Sequence, residues 1–378
     1  MNIIVLGAGL VGGPMTFDLA KDLNFNVSVA DISPQNLSKF DNHKNIHTIQ
    51  ADLSDDKKVA ELISSFDMVL SAVPGHMGFR TLETIIKAGK NVIDIAFFPE
   101  DLFALDALAK KHKVIAISDI GVAPGMSNVL IGYIDSLLDK TEKAITYVGG
   151  LPKVRQWPYE YKAVFSPVDV IEEYTRPARY IKDGKEITMP ALSEPELIDF
   201  DHIGTLEAFN SDGLRSLAKT ITADYMIEKT LRYPGHIEIM RILRETGFFD
   251  KEEIEVNGVK ISPLDFTSKL LFPKWKLEKG EEDITLMKVI VEGKKDNKRI
   301  RYTYFLFDTY DASTGVHSMA RTTGYTATMA VRMVACGLYS THGVSAPEFI
   351  GKQPECVDFI LAGLKEKGVI YQKTVENL

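Results

Sequence analysis

Cysteine is scarce in this chain: only Cys336 and Cys356 occur among 378 residues. Structural disulfides are rare in reducing compartments, so the scarcity fits a cytoplasmic protein and leaves no set of thiolates for a metal site. The eight histidines are scattered and show no HExxH or similar spacing. We therefore predict that the protein binds no metal.

Long apolar runs and an excess of positive charge are also missing. No hydrophobic stretch reaches the roughly 20 residues of a transmembrane helix. Met1 leads directly into a strand pattern, so we expect no signal or transit peptide. The formal net charge of −8 argues against nucleic acids and anionic membranes as main partners. The length is sufficient for two domains, and 45% hydrophobic residues are typical of a globular protein.

The first thirty-one residues carry the most specific pattern. A short apolar run, Asn2–Leu6, leads into a glycine-rich turn, and a predicted helix and a second strand follow. The turn contains Gly7, Gly9, Leu10, Val11 and Gly12. This order of strand, turn, helix and strand is the context that the dinucleotide-binding fingerprint requires.

Each glycine of the turn has a physical task in such a site. Gly7 permits the tight turn, Gly9 lets a pyrophosphate approach the backbone, and Gly12 lets helix and strand pack closely. Asp31 ends the second strand, where a carboxylate accepts hydrogen bonds from the adenine ribose and repels a 2′-phosphate. No Arg follows it in Ile32–Gln35, so the sequence predicts NAD as the cofactor over NADP.

Strand and helix patterns alternate through the first third of the chain, which predicts a Rossmann-type doubly wound parallel sheet with helices on both faces. Ligands bind at the carboxyl ends of the strands in such a sheet. The residues that follow the strands are therefore further candidates for the cofactor and substrate site: Asp52, Ala72, Val73, Pro74, Asp94, Ala96 and Asp119.

The pattern changes after Gly125, where strand-like segments such as Tyr161–Phe165 dominate. A long hairpin is predicted from Ile284–Glu292 and Arg299–Asp308. These segments indicate an inserted α+β domain on a mixed sheet. We expect the helical tail from Ser318 to return to the first domain. The prediction is a discontinuous NAD-binding domain, 1–123 with 318–378, and an inserted substrate-binding domain, 124–317, to which the family resemblance given next adds a role in dimerisation.

Several motifs resemble the saccharopine dehydrogenase/reductase family over essentially the whole chain. They are Asp119–Met126, Gly149–Pro152, Phe165–Pro167 and Thr230–His236. Glu172–Arg179 and Asn210–Arg215 are similar to motifs of its L-lysine 6-dehydrogenase branch. The resemblance implies a Rossmann domain, an inserted domain that covers the cofactor and mediates dimerisation, and NAD(P) chemistry at a C–N bond of the substrate.

Three departures from the saccharopine reductase pattern bear on the substrate. That branch carries an Asp at the position of Ala123, a Cys at Val148 and an Arg at Ser211. An Arg is the natural partner for a carboxylate of the glutarate arm of saccharopine. Its replacement by Ser211 fits a smaller substrate such as lysine, an inference that comes from the resemblance.

The candidate catalytic residues each have a structural alternative. Asp94 and Asp119 are candidates to orient the substrate amine or to accept its proton, and each could equally be a turn carboxylate. His236 is a candidate base, although it also lies where a helix-start hydrogen bond is expected. Arg215 is a candidate partner for the substrate α-carboxylate, or half of a structural ion pair.

The sequence thus indicates a cytoplasmic, NAD-dependent amino-acid dehydrogenase that oxidises the ε-amine of L-lysine, with a homodimer or higher homo-oligomer expected. A saccharopine or carboxynorspermidine type enzyme, which acts on a secondary amine, is the alternative within the same class. A non-catalytic NAD-binding sensor is the alternative of another class. The family-specific second domain argues against the sensor.

Overall fold

The structure is a computed structural model that describes residues 1–201, 203–278 and 280–378. Its strands are β1 Asn2–Leu6, β2 Asn26–Asp31, β3 Ile46–Gln50, β4 Met68–Ser71, β5 Asn91–Asp94, β6 Ile115–Ile117, β7 Lys140–Pro152, β8 Ala178–Lys182, β9 Lys185–Met189, β10 Glu196–Phe200, β11 Gly204–Asn210, β12 Tyr225–Arg232, β13 Ile254–Val256, β14 Val259–Ile261, β15 Asp283–Lys295, β16 Lys298–Thr309, β17 Gly343–Ser345 and β18 Tyr371–Asn377. Its helices are α1 Gly12–Leu19, α2 Pro34–Leu37, α3 Asp56–Ile63, α4 Gly75–Lys87, α5 Asp106–His112, α6 Met126–Leu137, α7 Pro167–Thr175, α8 Leu217–Thr220, α9 His236–Glu245, α10 Pro263–Trp275, α11 Ser318–Ala335, α12 Pro347–Gly351 and α13 Pro354–Glu366.

The first of two units is built on a parallel sheet in the order β17-β6-β5-β4-β1-β2-β3. Every neighbouring pair in it runs parallel. Strand β1 lies inside the sheet, and its Ile3–Leu6 stretch is fully buried. Strands that are apolar throughout are expected where helices cover both faces. The predicted Rossmann fold is therefore confirmed.

Three stretches of the chain form this unit: Met1–Asp139, Lys219–Ile221 and Met319–Tyr371. Helix α6 belongs to it, although the predicted boundary at residue 123 assigned that helix to the second domain. The reason is close packing against the tail, since a Cβ atom on Gly132 would lie 2.3 Å from the Glu348 carbonyl oxygen.

A buried carboxylate joins helix α1 to the tail of the chain. Asp18 accepts hydrogen bonds from Arg332 at 2.7 Å, Lys367 at 2.5 Å and Thr328 at 2.6 Å. Burial alone would raise the pKa of Asp18, but the two cations hold it below its ordinary value. The ionised carboxylate thereby fixes α1 against α11 and the end of α13.

The second unit contains Lys140–Ala218, Thr222–Ser318 and Gln372–Leu378. Its mixed sheet has the order β10-β11-β12-β7-β15-β16-β18, and β8 and β9 continue from β12. Strands β12 and β7 are parallel, whereas β15 is antiparallel to both β7 and β16. The α+β architecture with a mixed sheet is confirmed. The last strand, β18, lies in this unit, whereas the sequence analysis assigned all of 318–378 to the NAD-binding domain.

Helices α7, α9 and α10 pack on one face of this sheet through a cluster that includes Tyr174, Phe209, Ile237 and Trp275. The opposite face carries clusters made largely of strand side chains, such as Ile145, Tyr180 and Ile227. In the described ranges, no helix of either unit is both long and apolar enough to cross a membrane.

The long hairpin of β15 and β16 forms as predicted, with its tip at Asp296 and Asn297, which both have positive φ. The predicted strand Tyr161–Phe165 does not form. Instead, Ala163 makes a single bridge to Lys276, and Tyr161 packs against Trp275. The apolar spacing of that segment therefore reflects burial beneath α10.

Candidate active site

The glycine turn after β1 has the geometry that a dinucleotide site needs. Gly7 has a φ of +100°, a conformation that favours glycine. A Cβ atom on Gly12 would lie 1.9 Å from the Gly7 carbonyl oxygen, so the start of α1 touches the strand end. A Cβ on Gly9 would meet nothing within 4 Å. The backbone at Gly9 is therefore open to a pyrophosphate, as the fingerprint predicts.

Asp31 ends β2 and also fixes the turn. Its Oδ2 accepts the Ala8 N–H at 2.7 Å, and its Oδ1 accepts the Ser33 N–H at 2.8 Å. Lys39 lies nearby, with its Nζ 3.4 Å from the Ala8 carbonyl oxygen. Burial lowers the pKa of Lys39, and the Asp31 charge opposes that effect. Sequence reasoning missed this lysine because it lies eight positions after Asp31, whereas a phosphate partner was expected within Ile32–Gln35.

The carboxyl ends of β4 and β5 lie side by side, with Ser71 opposite Asp94. The backbone of Ala72, Val73 and Pro74 leaves β4 towards α4, and Ala96 follows β5 as a buried residue. Asp94 is fully buried and accepts a hydrogen bond from Ser118 at 3.1 Å. Burial raises the pKa of Asp94 to about 7, and the neighbouring Asp119 carboxylate adds to the rise.

The other two acidic candidates of this unit differ in their surroundings. Asp119 is buried after β6 and has a φ of +59°, an uncommon backbone conformation for a residue other than glycine. Asp52 lies beyond the edge strand β3, where it accepts hydrogen bonds from the backbone and hydroxyl of Ser54. The described residues include no group of three or more His, Cys, Asp or Glu side chains placed to hold a metal.

In the second unit, His236 is buried at the start of α9, and both ring nitrogens are engaged. Nδ1 donates to the Tyr159 carbonyl oxygen at 2.6 Å, which leaves Nε2 to accept from the Tyr174 hydroxyl at 2.9 Å. Burial lowers the pKa of His236 to about 3, and the Arg232 guanidinium adds to the shift. These contacts favour the structural alternative for His236 over the catalytic one.

Arg232 is the centre of this buried network, which sequence reasoning did not find. Its Nε donates to the Tyr174 hydroxyl at 3.0 Å and its Nη2 to Glu173 at 2.6 Å. The guanidinium also lies 4.6 Å from the centre of the Tyr161 ring. The network joins residues of two motifs that the sequence analysis noted separately, Glu172–Arg179 and Thr230–His236. Nothing in the sequence indicated that these two motifs contact each other.

Arg215 lies in a different cluster, in the loop that follows β11. It is buried and has a φ of +52°. Asp212, three residues earlier, accepts two hydrogen bonds from Arg179, at 2.8 and 2.9 Å. Arg176 pairs with Glu172 at 3.6 Å. Burial lowers the pKa of Arg176, and the positive charge of Arg215 contributes. Arg215 and its neighbours thus form a mixed cluster of guanidinium and carboxylate groups.

Two neighbouring glycines of α1 allow a matched test of the turn. We expect Gly12→Ala to weaken binding of a nicotinamide dinucleotide at least about tenfold, because its methyl group would overlap the Gly7 carbonyl. Gly13→Ala is the control, since its Cβ would sit 3.6 Å from the Ala8 carbonyl oxygen, an ordinary contact. Fluorescence titration with the reduced cofactor measures the affinity of each variant. Equal affinities would show that the turn does not depend on this contact.

The burial of Asp94 makes the free energy of unfolding depend on pH. Its pKa in the folded protein, about 7, lies above the ordinary value of 3.8 for an aspartate. The folded state therefore holds a proton that the unfolded chain has released, and stability falls as the pH rises from about 4 to 7. We expect Asp94→Asn to be more stable than wild type by about 2–4 kcal/mol at pH 8, an advantage that disappears near pH 4.

Denaturant unfolding at pH 8 and pH 4.5 measures this difference. Asp52→Asn is the control, because Asp52 is exposed and the Ser54 hydrogen bonds lower its pKa. The Asp52 variant should show no gain at pH 8. If Asp94→Asn changed stability equally at both pH values, Asp94 would not carry a raised pKa.

Two family models of known proteins match this chain, one in each of its two main parts. The family model for the saccharopine dehydrogenase NADP binding domain matches residues 3–117. The model for the saccharopine dehydrogenase C-terminal domain matches residues 121–369. The two models together cover the chain from β1 to the end of α13.

Individual relatives are similar at low identity. Saccharopine dehydrogenase [NADP(+), L-glutamate-forming] of Saccharomyces cerevisiae is 24% identical, over 98% of each chain. Carboxyaminopropylagmatine dehydrogenase of Synechocystis is 23% identical, over 100% of this chain and 98% of the relative. The mitochondrial alpha-aminoadipic semialdehyde synthase of Mus musculus is 23% identical, and the match spans 31% of that protein's length.

A solved structure supports the fold. The histidine-tagged apo saccharopine dehydrogenase (L-Glu forming) of S. cerevisiae superposes with a TM-score of 0.80 at 21% identity, covering 99% of each chain. At that identity the likeness supports the architecture alone. Together with the two family models, it shows that this chain, with its nicotinamide dinucleotide-binding unit, belongs to the saccharopine dehydrogenase family of oxidoreductases.

Proposed function

We propose that this protein is an NAD-dependent L-lysine 6-dehydrogenase. The ε-carbon of lysine loses a hydride and the ε-nitrogen loses a proton, and water then replaces the nitrogen, which leaves as ammonia. The product is 2-aminoadipate 6-semialdehyde, which closes to Δ1-piperideine-6-carboxylate. A bound nicotinamide ring would accept the hydride. The glycine turn, the open backbone at Gly9 and the carboxylate of Asp31 are the residues that would hold the cofactor.

The observation that carries the lysine assignment is the side chain of Ser211. Ser211 is buried and hydrogen-bonds the Thr230 hydroxyl at 2.8 Å. The related saccharopine reductases carry an Arg at this position by the resemblance described above. A short hydroxyl satisfied by Thr230 supplies no guanidinium for the glutarate arm of saccharopine. Ser211 therefore favours a substrate without that arm.

Asp94 is the proposed proton acceptor. The ε-ammonium of free lysine has a pKa of about 10.4 and must lose a proton before the carbon can release a hydride. A buried carboxyl group with a pKa of about 7 is ionised in the alkaline range where that deprotonation is easiest. Asp119 is the alternative, and its charge contributes to the raised pKa of Asp94.

The proposed partner of the substrate α-carboxylate is Arg215. Guanidinium groups bind carboxylates through paired N–H donors. Arg179 is held by Asp212 in such a bidentate pair, which shows that the cluster already uses this geometry. Such a pair would fix the orientation of the α-carboxylate end of lysine.

A secondary-amine substrate is the second candidate, because relatives matching nearly the whole chain carry the names saccharopine dehydrogenase and carboxyaminopropylagmatine dehydrogenase. The presence of three arginines, Arg176, Arg179 and Arg215, around Asp212 is compatible with a second carboxylate. In this candidate the amine nitrogen carries a second carbon chain, which the ε-amine of lysine lacks.

The substrate test follows NADH absorbance at alkaline pH with purified protein, NAD and a panel of amines. We expect NADH absorbance to increase with L-lysine. The kcat/KM for saccharopine, ornithine and pentane-1,5-diamine should be at least about tenfold lower than that for L-lysine. The product should react as a cyclic imine. Reduction with saccharopine alone would assign the protein to the secondary-amine branch. No reduction with any amine, despite cofactor binding, would favour the sensor.

The variant Arg215→Gln sharpens this test. If Arg215 holds the α-carboxylate, the variant should lose activity on lysine while its activity on pentane-1,5-diamine, which has no carboxylate, stays near wild type. A parallel loss on both substrates would instead indicate that Arg215 supports the loop structurally.

Cofactor preference is a separate proposal. Asp31 supports NAD, whereas one matching family model describes an NADP binding domain and Lys39 places a cation nearby. We expect NAD to give the higher kcat/KM. The double variant Asp31→Ser/Ile32→Arg should shift the ratio towards NADP at least about tenfold, because it removes the repelling charge and adds a phosphate partner. Ile32→Arg alone is the control and should keep the NAD preference. A wild-type preference for NADP would contradict the role given to Asp31.

A further inference from the structure

His317, in the loop that joins β16 to α11, has one ring nitrogen on a buried carboxylate and the other unengaged. Its Nδ1 lies 3.1 Å from Oδ1 of Asp283, which is fully buried. Because a carboxylate only accepts hydrogen bonds, Nδ1 carries the hydrogen and Nε2 keeps its lone pair. The His317 side chain is 26% exposed, and none of the described residues bonds Nε2. We call His317 and Asp283 the dyad, in which Nε2 is available to a water molecule.

The loop that carries His317 is closed by hydrogen bonds between near neighbours. The Asp311 side chain accepts the Ser313 N–H at 2.9 Å, and the Asp311 N–H donates to the Val316 carbonyl oxygen at 2.9 Å. An aspartate that bonds the backbone two residues further on is a typical turn former. The Tyr310 ring also packs on the imidazole, with the ring centres 5.1 Å apart. These contacts restrict the orientation of the imidazole.

A second unengaged polar group lies on the same face of β15. Residues two apart in a strand point to the same face, so Thr285 lies beside Asp283. The Thr285 hydroxyl is fully buried, and no partner for it occurs among the described residues. Its cross-strand neighbours are Gly150 on β7, which has no side chain, and Asp308 on β16. A buried hydroxyl without a partner is uncommon, and it indicates a place for an ordered water or a ligand.

The register of the mixed sheet connects the dyad to the side chain on which the lysine assignment depends. Thr230, which hydrogen-bonds Ser211, lies opposite Val148, and Val148 lies opposite Met287. Opposite residues share a face, and Met287 is two residues after Thr285, so Thr230 and Thr285 lie on one face of the sheet. Two strand spacings and two residues along a strand separate them, roughly 12 Å. A substrate with an extended side chain can bridge such a distance.

We propose that His317 is the general base that activates water in the second half of the reaction, and that Asp283 is its positioning residue. The inference rests on the proposed amine oxidation, because hydride loss from a neutral amine leaves an iminium ion that water must hydrolyse. The role proposed for Asp94 precedes that step, so the hydrolysis has no assigned group. A histidine with Nδ1 on a carboxylate suits it, because the carboxylate fixes the tautomer and stabilises the imidazolium that forms.

The hydrolysis balances with water as the only co-reactant. The water oxygen bonds to the iminium carbon, the C=N electron pair moves to nitrogen, and one water proton passes to Nε2 of His317. Nε2 returns this proton to the nitrogen, the C–N bond breaks, and ammonia leaves with the electron pair. The remaining hydroxyl proton passes through Nε2 to solvent as the aldehyde forms. No group is oxidised or reduced in these steps. The Thr285 hydroxyl would hold the attacking water.

A purely structural role for the dyad can be separated from this one. Asp283 also accepts the Ser318 N–H at 2.7 Å, so the dyad closes the start of α11. His317→Asn keeps an amide N–H near the position of Nδ1, so the variant can still donate to Asp283, but it has no atom in place of Nε2. This variant therefore preserves the helix start and removes the base.

The test follows both halves of a single turnover, with the full chain and NAD in excess over L-lysine. NADH absorbance reports hydride transfer. Quenching with borodeuteride converts accumulated imine to deuterated lysine and the hydrolysed, cyclised product to deuterated piperidine-2-carboxylate, which mass spectrometry separates. We expect His317→Asn to form NADH at the wild-type rate and to hydrolyse the imine at least about a hundredfold more slowly, since general acid–base catalysis contributes roughly 10²- to 10⁴-fold.

Three further variants complete the test. Asp283→Asn should also accumulate imine, because its amide donates to Nδ1 and moves the imidazole hydrogen to Nε2. Added imidazole should restore hydrolysis in His317→Ala, a rescue that a structural role does not predict. His342→Asn changes an exposed histidine outside the dyad and should alter neither half of the turnover.

The outcomes separate this inference from the proposed function. A wild type that forms no NADH with any amine would contradict the proposed function itself. A wild type that turns over, with imine hydrolysis unchanged in His317→Asn, would overturn only the role of His317. Equal slowing of NADH formation and imine hydrolysis in that variant would also overturn it, because the defect would then precede the hydrolysis.

Discussion

The first unit depends on the approach of two backbone segments, at Gly7 and Gly12. The strand end and the helix start come so close that no side-chain atom fits at Gly12. This contact sets the direction in which α1 leaves the sheet and places its first N–H groups beside the open backbone of Gly9. At the other end of the same helix, Asp18 binds Arg332 and Lys367 of the tail. One short helix therefore both forms the cofactor turn and holds the discontinuous part of the unit.

The second unit is organised by a buried charge. Burying a guanidinium is costly unless its donors are satisfied, and Arg232 meets this condition through Tyr174, Glu173 and its own strand. His236 completes the arrangement as a neutral acceptor for the Tyr174 hydroxyl. The network joins α7, β12 and α9, so it fixes how the helices lie on the sheet. These contacts give the Thr230–His236 motif a structural role in the second unit.

The sequence was most informative where the interaction is local. The apolar runs of the parallel strands and the long β15–β16 hairpin depend on near neighbours, and both predictions are confirmed. Features that involve distant partners could not be predicted. Tyr161–Phe165 has strand-like residues, yet Trp275 packs against it from more than a hundred positions away. His236 likewise acquires its environment from Tyr159 and Tyr174. The spacing of residues within one segment does not predict contacts with residues that are distant in the chain.

The same limitation explains why the raised pKa of Asp94 could not be predicted, and why it matters for the proposed reaction. In water, the pKa values of an aspartate and a lysine amine differ by about 6.5 units, so the carboxylate is a poor acceptor for the ammonium proton. With Asp94 at about 7, the gap to a free lysine amine narrows to roughly 3 units. Removal from water raises the pKa of an acid and lowers that of an ammonium, so burial of both groups would narrow the gap further. Each unit gained is worth about 1.4 kcal/mol of proton transfer. The environment that makes Asp94 costly to ionise is therefore the one in which it would be an effective base in the proposed reaction.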